Sequence, residues 1–431
     1  MTGFSALDHL HMAHALRLAE HGLYTTQPNP RVGCVIAHGA EVVGAGWHRH
    51  AGGPHAEIHA LREAGARARG ATAYVTLEPC AHYGRTPPCA LALVEAGVAR
   101  VVAAAEDPSP KIAGRGFAML RNAGIEVEVG LLAAPARDLN PGFFSRIERG
   151  RPWLRLKQAI SLDGRTALAN GQSQWITGAA ARADVQCWRA RSSAILTGSG
   201  TVLADNPRLT VRLPPPPAPA PTDSFTLAEG VGKNPLGPDQ AGREAAGKGS
   251  LSPDIAGGEG GGEGAALLGA AASPTHSADF MPPLRVVLDR QLRTPAMSHV
   301  LDGSAPTLLV HAAEAACDDE RYARVERIVV SAPDGRLDLP AVLALLAARG
   351  CNEVQAEAGP TLGGALFDAG LVDELLLYVA PLLLGDAALP LLHLPPLADM
   401  AGRWELQLVE QRMLGADWRL RLRPRQPSPL F

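Results

Sequence analysis

The sequence has few cysteines, few aromatic residues, no excess of either charge and no long apolar run. Its 431 residues include six cysteines and 4% aromatic residues, and 40 basic side chains stand against 43 acidic ones, for a formal net charge of −3. Six cysteines in a chain of this length are too sparse for a disulfide scaffold. A chain without a basic excess is also not typical of proteins whose main partner is nucleic acid.

No segment has the form of a signal peptide or of a membrane span. The N-terminal residues include Asp8 and several histidines in place of an apolar region. The most apolar run, 375–384, is interrupted by Pro381, whereas a bilayer-spanning helix needs about 20 apolar residues. These absences predict a protein of the cytoplasm without a membrane partner.

The composition does contain enough apolar material for two hydrophobic cores. Hydrophobic residues make up 46% of the chain and charged residues 19%, which is typical of globular proteins. A length of 431 residues predicts two domains. Helical and strand-like segments alternate on both sides of 139–151, where the pattern lapses. We therefore expect a three-layer α/β domain over residues 1–150 and a second α/β domain over 151–431.

Residues 214–283 form a low-complexity segment inside the second predicted domain. The segment is rich in Pro, Gly, Ala and Ser and has almost no aromatic residue, so it cannot bury enough apolar surface to offset its ordering entropy. A strand-like segment follows at 284–289. Because the cost of loop closure rises only slowly with length, we predict a disordered surface insertion whose role the sequence leaves open.

One imidazole and two thiols in the first half are candidate ligands of a catalytic zinc ion. His55 and Glu57 begin a predicted helix, Cys80 follows a predicted strand, and Cys89 opens the next helix. One histidine and two cysteines leave a zinc position open for water, and the glutamate can move the proton of that water, as in zinc deaminases. A structural zinc with His82 as fourth ligand is the alternative, but it does not need Glu57.

Other polar residues of the first half give weaker signals. Asn29 lies between two prolines, a pattern typical of a turn, and as a substrate contact it would supply an amide for the edge of a pyrimidine. His48 and His50 lie in a polar stretch, and we expect both to be solvated rather than metal ligands.

The second half has one sign of anion binding. Residues 357–364 have the form of a strand that runs into a glycine turn, followed by a helix over 365–369. Such a turn presents backbone N–H groups to an anion, for example a cofactor phosphate. It is not the Gly-x-Gly-x-x-Gly fingerprint, and a turn without a ligand would have the same spacing. The residues alone predict an α/β domain and leave anion binding open.

Long motifs in both halves resemble the bifunctional deaminase–reductase family of riboflavin biosynthesis. The resemblance covers nearly the whole chain apart from the insertion, and the long loop between the two zinc-motif cysteines is this family's own version of that motif. The matching stretches are 28–34 (PNPRVGC), 55–57 (HAE), 76–89 (TLEPCAHYGRTPPC), 161–166, 173–177 (SQWIT), 201–207 and 357–366.

The resemblance implies a cytidine-deaminase-like N-terminal domain and a dihydrofolate-reductase-like C-terminal domain that uses NADPH. The first domain would use zinc to deaminate the diamino ribosylamino-pyrimidinone 5′-phosphate. The second would reduce the ribosyl group of the resulting amino-uracil to a ribityl chain by hydride delivery to C1′. Phosphorylated pyrimidines are then the small-molecule partners. A homo-oligomer is one assembly that the sequence leaves open, as is transfer of the intermediate between the sites.

Matching positions carry the family's site residues over to this chain. The implied zinc ligands are His55, Cys80 and Cys89, and Glu57 is the implied proton shuttle. The implied cofactor contacts are Ala159, Trp175, Thr201, Asp205, Gly359, Pro360, Thr361, Leu362, Gly363, Gly364 and Ala365. The implied substrate contacts are Ser173, Arg189, Leu209, Arg212 and Glu357. We add Lys157 and Asp163 as polar neighbours of the reaction centre, and Asn29 as the candidate substrate contact of the first half. Among these, Arg189 and Arg212 have guanidinium groups that suit phosphate oxygens.

Two features depart from the family pattern. The low-complexity segment begins almost directly after Arg212, which is an implied substrate contact. Arg290 stands where the family commonly has a small residue near the cofactor, and its effect on cofactor binding is left open.

Three other functions share part of this pattern. A nucleic-acid base deaminase with an unrelated second domain would have the same zinc motif, but the balanced charge and the motifs of the second half disfavour it. A protein with a structural zinc and a binding role would not need Glu57. A third alternative keeps the deaminase and has a reductase half that the insertion inactivates.

Overall fold

A computed structural model of the chain describes residues 3–83, 87–110, 112–212, 280–315 and 319–425. Of the predicted insertion 214–283, only the last four residues are among them, and the rest of that segment lies outside the described residues. In the part of the chain that the structure describes, no helix is both long and apolar enough to cross a membrane.

The first half of the chain forms a five-stranded sheet with helices on both faces. Its strands are β1 (Gly33–His38), β2 (Glu41–Trp47), β3 (Thr72–Val75), β4 (Arg100–Ala103) and β5 (Glu126–Val129). Its helices are α1 (Ala6–Glu20), α2 (Ala56–Ala64), α3 (Cys89–Ala96), α4 (Arg115–Asn122), α5 (Ala133–Leu139) and α6 (Pro141–Arg149). The strand order is β2-β1-β3-β4-β5. β1 is antiparallel to both of its neighbours, and β3, β4 and β5 are parallel.

Alternating strand residues build the two cores of this first sheet. Successive side chains of a strand point to opposite faces, so Ile36 packs with residues of α2, α3 and α4, while Val35 packs with residues of α1 and α5. The predicted three-layer α/β arrangement is confirmed.

Two glycines of β2 allow helix α2 to lie directly on the sheet. A Cβ atom on Gly44 would lie 2.2 Å from the carbonyl oxygen of Ala60, and one on Gly46 would lie 2.6 Å from that of Ala56. Both separations are too short for any residue with a side chain. This close packing fixes the start of α2, which is where the predicted zinc ligand His55 lies.

The second half of the chain forms a nine-stranded sheet. Its strands are β6 (Trp153–Ser161), β8 (Ala194–Gly198), β9 (Leu284–Leu288), β10 (Thr307–His311), β11 (Glu326–Val329), β12 (Glu353–Ala356), β13 (Glu374–Ala380), β15 (Leu406–Leu414) and β16 (Asp417–Pro424). The short strands β7 (Arg165–Ala167) and β14 (Leu389–Pro390) pair with each other. The described helices are α7 (Ala179–Arg191), α8 (Ser199–Asp205), α9 (Leu339–Ala348) and α10 (Pro360–Asp368).

The strand order places the carboxyl ends of seven parallel strands along one edge. The order is β11-β10-β9-β8-β12-β6-β13-β16-β15, and the strands from β11 to β13 are parallel, whereas β16 and β15 add an antiparallel hairpin. Open parallel sheets bind ligands outside the carboxyl ends of their strands. This edge therefore contains the residues that follow β6, β8 and β12.

Two segments that the sequence predicts as irregular are helical. The lapse at 139–151 contains α6, which begins at Pro141, and proline suits the first position of a helix because its missing N–H would have had no partner there. The predicted turn 357–364 lies mostly within α10, which begins at Pro360. A Cβ on Gly364 would lie 2.1 Å from the carbonyl oxygen of His393, so this glycine serves close packing rather than a turn.

A buried ion network joins the two halves of the chain. Glu353, the first residue of β12, is 1% exposed and accepts hydrogen bonds from Arg31 at 2.6 Å, Arg191 at 2.7 Å and Arg155 at 3.2 Å. Arg31 belongs to the first half, and Arg155 pairs in addition with Glu374 at 2.6 Å. Buried charges need such partners, so the network holds the start of β12 against the first half.

Candidate active sites

Three separate elements bring the predicted zinc ligands together. His55 caps the start of α2, Cys80 lies in the loop after β3, and Cys89 is the first residue of α3. His55 Nδ1 lies 3.6 Å from Cys80 Sγ and 3.3 Å from Cys89 Sγ, and the three ligand atoms all lie within 4.8 Å of one another. One nitrogen and two sulfurs at this spacing fit three corners of a tetrahedral zinc site.

Glu57 lies beside these ligands without being one of them. It is in the first turn of α2 and is 3% exposed, and its Oε2 atom has no hydrogen-bond partner among the described residues. A carboxylate oxygen buried in this way requires a proton donor such as water. The residues therefore fit a zinc ion that keeps one position for water, with Glu57 next to it.

The alternative of a structural zinc is not supported by the geometry. His82, the predicted fourth ligand of such a site, is exposed, and within the described residues the metal-binding cluster consists of His55, Cys80 and Cys89. A closed structural site needs four protein ligands.

The ionisable groups of the zinc site influence one another strongly. The hydrogen bond with Cys89 lowers the pKa of the Cys80 thiol to about 4. The same hydrogen bond, together with burial, raises the pKa of Cys89. The hydrogen bond with Cys80 raises the pKa of His55, and burial raises the pKa of Glu57. Cys80 therefore ionises readily, and the thiolate is the form that binds a metal.

A cavity of about 630 Å³ opens onto this cluster, and Asn29 and His48 lie in its wall together with Glu57. The expectation that His48 is solvated was wrong. His48 directly follows β2 and is 2% exposed. Its Nδ1 atom lies 3.0 Å from the carbonyl oxygen of Pro54. Asn29 Nδ2 donates to His48 Nε2 at 3.2 Å. The structure therefore brings the predicted substrate residue Asn29 to the zinc site.

Three further residues of the cavity wall were given no role by the sequence: Glu78, Asp107 and Arg146. Glu78 accepts hydrogen bonds from the backbone N–H groups of Gly114 at 3.0 Å and Gly116 at 2.9 Å, and so holds that loop. Burial raises the pKa of Asp107 to about 6. Arg146 lies in α6, where the sequence showed only a charged run. Glu78 lies inside the motif 76–89 but was given no role there, whereas Asp107 and Arg146 come from segments in which the sequence showed no motif.

An ion pair marks the second site, at the carboxyl edge of the larger sheet. Glu357 directly follows β12, and Arg189 of α7 donates to its two oxygens from Nε at 2.6 Å and from Nη2 at 2.7 Å. Gln355 donates to Glu357 at 2.8 Å. Burial alone would raise the pKa of Glu357, but the attraction of Arg189 and then of Lys157 holds it at about 2. The carboxylate is therefore ionised and fixed in place.

Lys157 of β6 is close to this ion pair. Its ammonium makes no hydrogen bond to the described residues and lies 6.0 Å from the centre of the Tyr378 ring. Burial lowers the pKa of Lys157, whereas the charge of Glu357 raises it. Ala159 lies two residues further along β6 and therefore on the same face. An ammonium without a hydrogen bond beside a fixed carboxylate is suited to donate to a bound substrate.

Two helix starts lie beside the same ion pair. Gly359 caps α10 and its N–H donates to Thr201 Oγ1 of α8 at 3.3 Å. A Cβ on Gly359 or on Gly200 would meet nothing within 4 Å, so open space lies next to both backbones. Backbone N–H groups at a helix start bind phosphate, so these residues fit a phosphate of NADPH. Because residues 360–365 lie in α10, their contacts to a cofactor would come from helix turns and not from a free turn.

The remaining implied reductase contacts differ in accessibility. Trp175 is 67% exposed, and the Arg182 guanidinium lies 4.6 Å from the centre of its ring. Burial, and then repulsion from Arg189, lowers the pKa of Arg212, which places Arg212 near the Glu357 pair. Ser173 and Thr201 are half-buried, and Trp175, Asp205 and Arg212 are exposed.

Some implied contacts also have structural roles. Asp163 accepts a hydrogen bond from the backbone N–H of Gly385 at 2.8 Å and so anchors the loop after β13. Leu209 is 2% exposed and packs in a hydrophobic cluster, so the structure gives it a packing role. Arg290 pairs with Glu314 at 3.3 Å near the end of β9.

Two family models match the chain, one over each site. Residues 5–105 match the cytidine and deoxycytidylate deaminase zinc-binding region. Residues 152–420 match the RibD C-terminal domain.

Relatives match over almost the whole length. The riboflavin biosynthesis protein RibD of Escherichia coli K12 is 44% identical over 411 residues, which cover 95% of this chain and 97% of the relative. The RibD protein of Haemophilus influenzae is 42% identical over 426 residues, with coverages of 99% and 100%. The structure of Acinetobacter baumannii RibD, form 1, matches with a TM-score of 0.77 at 39% identity and coverages of 97% and 99%.

The fold and the two sites define a zinc-dependent deaminase domain joined to an NADPH-dependent reductase domain that resembles dihydrofolate reductase, as the sequence predicts. The chain belongs to the RibD family of riboflavin biosynthesis proteins. It is a bifunctional enzyme, a deaminase and a reductase.

Proposed function

We propose that residues 1–150 deaminate a diaminohydroxyphosphoribosylaminopyrimidine and that residues 151–431 reduce 5-amino-6-(5-phosphoribosylamino)uracil. A Thermotoga maritima structure with this pair of activities in its name matches the chain with a TM-score of 0.73 at 28% identity, and covers 97% of this chain and 99% of that one. The division at residue 150 is supported by the two main sheets, which share no strand.

The deamination adds water to a ring carbon and releases ammonia. When bound, zinc lowers the pKa of a water molecule and so supplies a nucleophile near neutral pH. Glu57 Oε2 takes the proton of the water and delivers it to the departing amine. Asn29, which His48 holds in place, presents an amide that can donate to and accept from the edge of a pyrimidine.

The Oε2 atom of Glu57, which has no hydrogen-bond partner among the described residues, carries the deaminase assignment. A buried carboxylate oxygen without a partner costs on the order of 1–3 kcal/mol, so a structural role would not favour it. It lies in the wall of the cavity that also contains the predicted ligands His55 and Cys80. A general base for hydrolysis has to lie beside the metal-bound water, and the position of Glu57 next to the predicted ligands supports this role.

The reduction delivers a hydride to C1′ of the ribosyl group and a proton to the ring oxygen, so that the ring opens to a ribityl chain. NADPH supplies the hydride when it is bound. Arg189 uses its nitrogens on Glu357 and on the carbonyl oxygen of Thr210, so it orients the carboxylate. Lys157, whose pKa burial lowers and the charge of Glu357 raises, is the proton donor that we assign, and Arg212 is suited to the substrate phosphate.

The substitution Glu57→Gln tests the deaminase assignment. We expect zinc content to equal that of the wild type because the ligands are unchanged, and ammonia release to fall by about 10²-fold or more because the proton shuttle is lost. Glu95→Gln is the matched control, since Glu95 lies on the exposed side of α3. Full deaminase activity in Glu57→Gln would contradict the assigned role.

We place the enzyme in the cytoplasm and assign it no nucleic-acid partner. The formal net charge of −3 supports the second statement. The free thiols of Cys34 and Cys351, which lie in the two cores, suit a reducing compartment.

A further inference from the structure

The loop 24–31 lies between α1 and β1 and is bound at both ends by the second half of the chain. At its start, the carbonyl oxygen of Tyr24 accepts a hydrogen bond from the backbone N–H of Met281 at 3.1 Å. At its end, the guanidinium of Arg31 donates to the buried carboxylate of Glu353 at 2.6 Å. The path of this loop therefore depends on residues more than 200 positions away in the sequence.

The middle of the loop is bound by the second half as well. Gln27 is 8% exposed, and its Nε2 donates to the carbonyl oxygen of Arg191 while its Oε1 accepts from the hydroxyl of Ser193. The carbonyl oxygen of Pro28 accepts from Nδ2 of Asn352 at 2.9 Å. Every hydrogen bond that these two loop residues make with a described residue goes to the second half.

Asn352 is a fixed anchor for the loop. It is 4% exposed, its N–H donates to Ser193 Oγ at 2.9 Å, and its carbonyl oxygen accepts from the N–H of Trp153 at 2.8 Å. Its Oδ1 accepts from Nε of Arg146 at 2.7 Å. Because a guanidinium only donates and a carbonyl oxygen only accepts, the two side-chain partners of Asn352 determine which end of its amide faces Pro28.

Asn29, which directly follows these anchored residues, lies in the wall of the cavity at the zinc site. Its Nδ2 donates to Nε2 of His48 at 3.2 Å, and its backbone N–H donates to the carbonyl oxygen of Thr26 at 2.8 Å. The first half therefore orients the amide of Asn29, whereas the second half holds the backbone that leads to it.

We propose that the second half of the chain positions Asn29 for the deaminase substrate, with Asn352 and Gln27 as the positioning residues. This inference rests on the proposed function. A group that recognises a substrate has to be held in its productive geometry by residues whose own positions are fixed, and both anchors are buried and hydrogen-bonded. The deaminase site is therefore complete only when the junction between the two halves is formed.

The test is a double-mutant cycle in the purified full-length zinc enzyme, with the variants Asn352→Asp, Asn29→Ala and the combination of both. Asn352→Asp keeps an oxygen for Arg146 and replaces the donor to Pro28 by an acceptor, so it breaks the loop contact alone. Asn122→Asp is the control, because it makes the same change at the exposed end of α4. Ammonia release from the phosphorylated diaminopyrimidine gives KM and kcat. Zinc content, the thermal midpoint and NADPH oxidation on supplied aminouracil are measured for every variant.

For Asn352→Asp we expect KM of the deaminase to rise about 3- to 10-fold, which corresponds to the loss of one hydrogen bond. We expect kcat to stay within about twofold, because the zinc ligands and Glu57 are unchanged, and NADPH oxidation to keep the wild-type rate. Asn29→Ala should raise KM at least as much. In that background Asn352→Asp should add less than about a twofold change, because the loop no longer presents an amide. Asn122→Asp should match the wild type.

Other outcomes overturn the positioning role. A wild-type KM in Asn352→Asp or in Asn29→Ala would refute it, and so would an equal loss for Asn352→Asp with and without the Asn29 amide. If Asn352→Asp lacks zinc or melts early, Gln27→Asn decides. That variant shortens the side chain by one methylene and so loses Arg191 and Ser193, and a folded Gln27→Asn protein of wild-type KM would also refute the proposal. A wild-type enzyme that releases no ammonia would instead refute the proposed function, and this inference with it.

Discussion

Replacing Glu353 by glutamine should destabilise the protein more than any other single loss of a carboxylate charge near the junction of the two halves. The side chain is 1% exposed and accepts hydrogen bonds from Arg31, Arg155 and Arg191. In Glu353→Gln, Arg155 keeps Glu374 as a partner, but the other two guanidinium groups lose their carboxylate. Leaving buried charges unpaired in this way costs about 3–5 kcal/mol of unfolding free energy.

Urea unfolding followed by circular dichroism measures this loss. The matched control is Glu326→Gln, which breaks the exposed pair between Glu326 and Arg349, whose side chains are 52% and 30% exposed. Exposed pairs contribute about 0–1 kcal/mol, so the control should stay close to the wild type. A loss for Glu353→Gln no larger than that of the control would refute the reasoning that this network stabilises the junction.

Acid should weaken the same network. Burial alone would raise the pKa of Glu353, but Arg191, then Arg31 and Arg155, hold it well below its ordinary value of 4.5. A carboxylate with a depressed folded-state pKa stabilises the fold above its unfolded pKa, and that contribution is lost as the pH falls toward the folded-state pKa. Below about pH 4.5 the wild type should therefore lose unfolding free energy more steeply than Glu353→Gln, which has no carboxyl group to titrate at this position.

Three further predictions concern the two activities. Removing zinc with a chelator should abolish ammonia release and leave NADPH oxidation on the supplied aminouracil intact; loss of both would contradict separate sites. Lys157→Ala should lower reductase kcat by about 10²-fold or more, because it removes the proposed proton donor, and a reductase of wild-type rate would exclude that role. Glu357→Gln should weaken the reductase, because Arg189 then faces a neutral partner, while ammonia release stays at the wild-type rate; equal losses in both assays would indicate unfolding instead.

The zinc cluster could be predicted because its signal is local. Each ligand lies at the start of a helix or just after a strand, and His55, Cys80 and Cys89 are close enough in sequence to form a motif. Asp107 and Arg146 of the cavity wall have no such local signal. The position of Arg146 depends on how α6 packs against the start of β12. Its Nε donates to Asn352, which is more than 200 residues away in the sequence, so only the three-dimensional structure brings the two together.

The segment after β12, at the carboxyl edge of the larger sheet, shows a different limit of prediction from sequence. The carboxyl end of β12 was expected to run into a glycine turn, and the structure continues it into α10 after Gly359. Glycine allows unusual backbone angles and also close approach of another backbone, and a sequence does not distinguish the two. Gly364 proved to be of the second kind, because His393 packs against it.

A sequential assay on one purified preparation tests the central claim, that one chain performs the deamination and then the reduction. The phosphorylated diaminopyrimidine is supplied first and ammonia is measured, after which NADPH is added and its oxidation is followed, with a zinc-stripped sample in parallel. We predict zinc-dependent ammonia release and then NADPH oxidation in an equal amount. Ammonia release without NADPH oxidation, or NADPH oxidation without prior ammonia release, would contradict the claim.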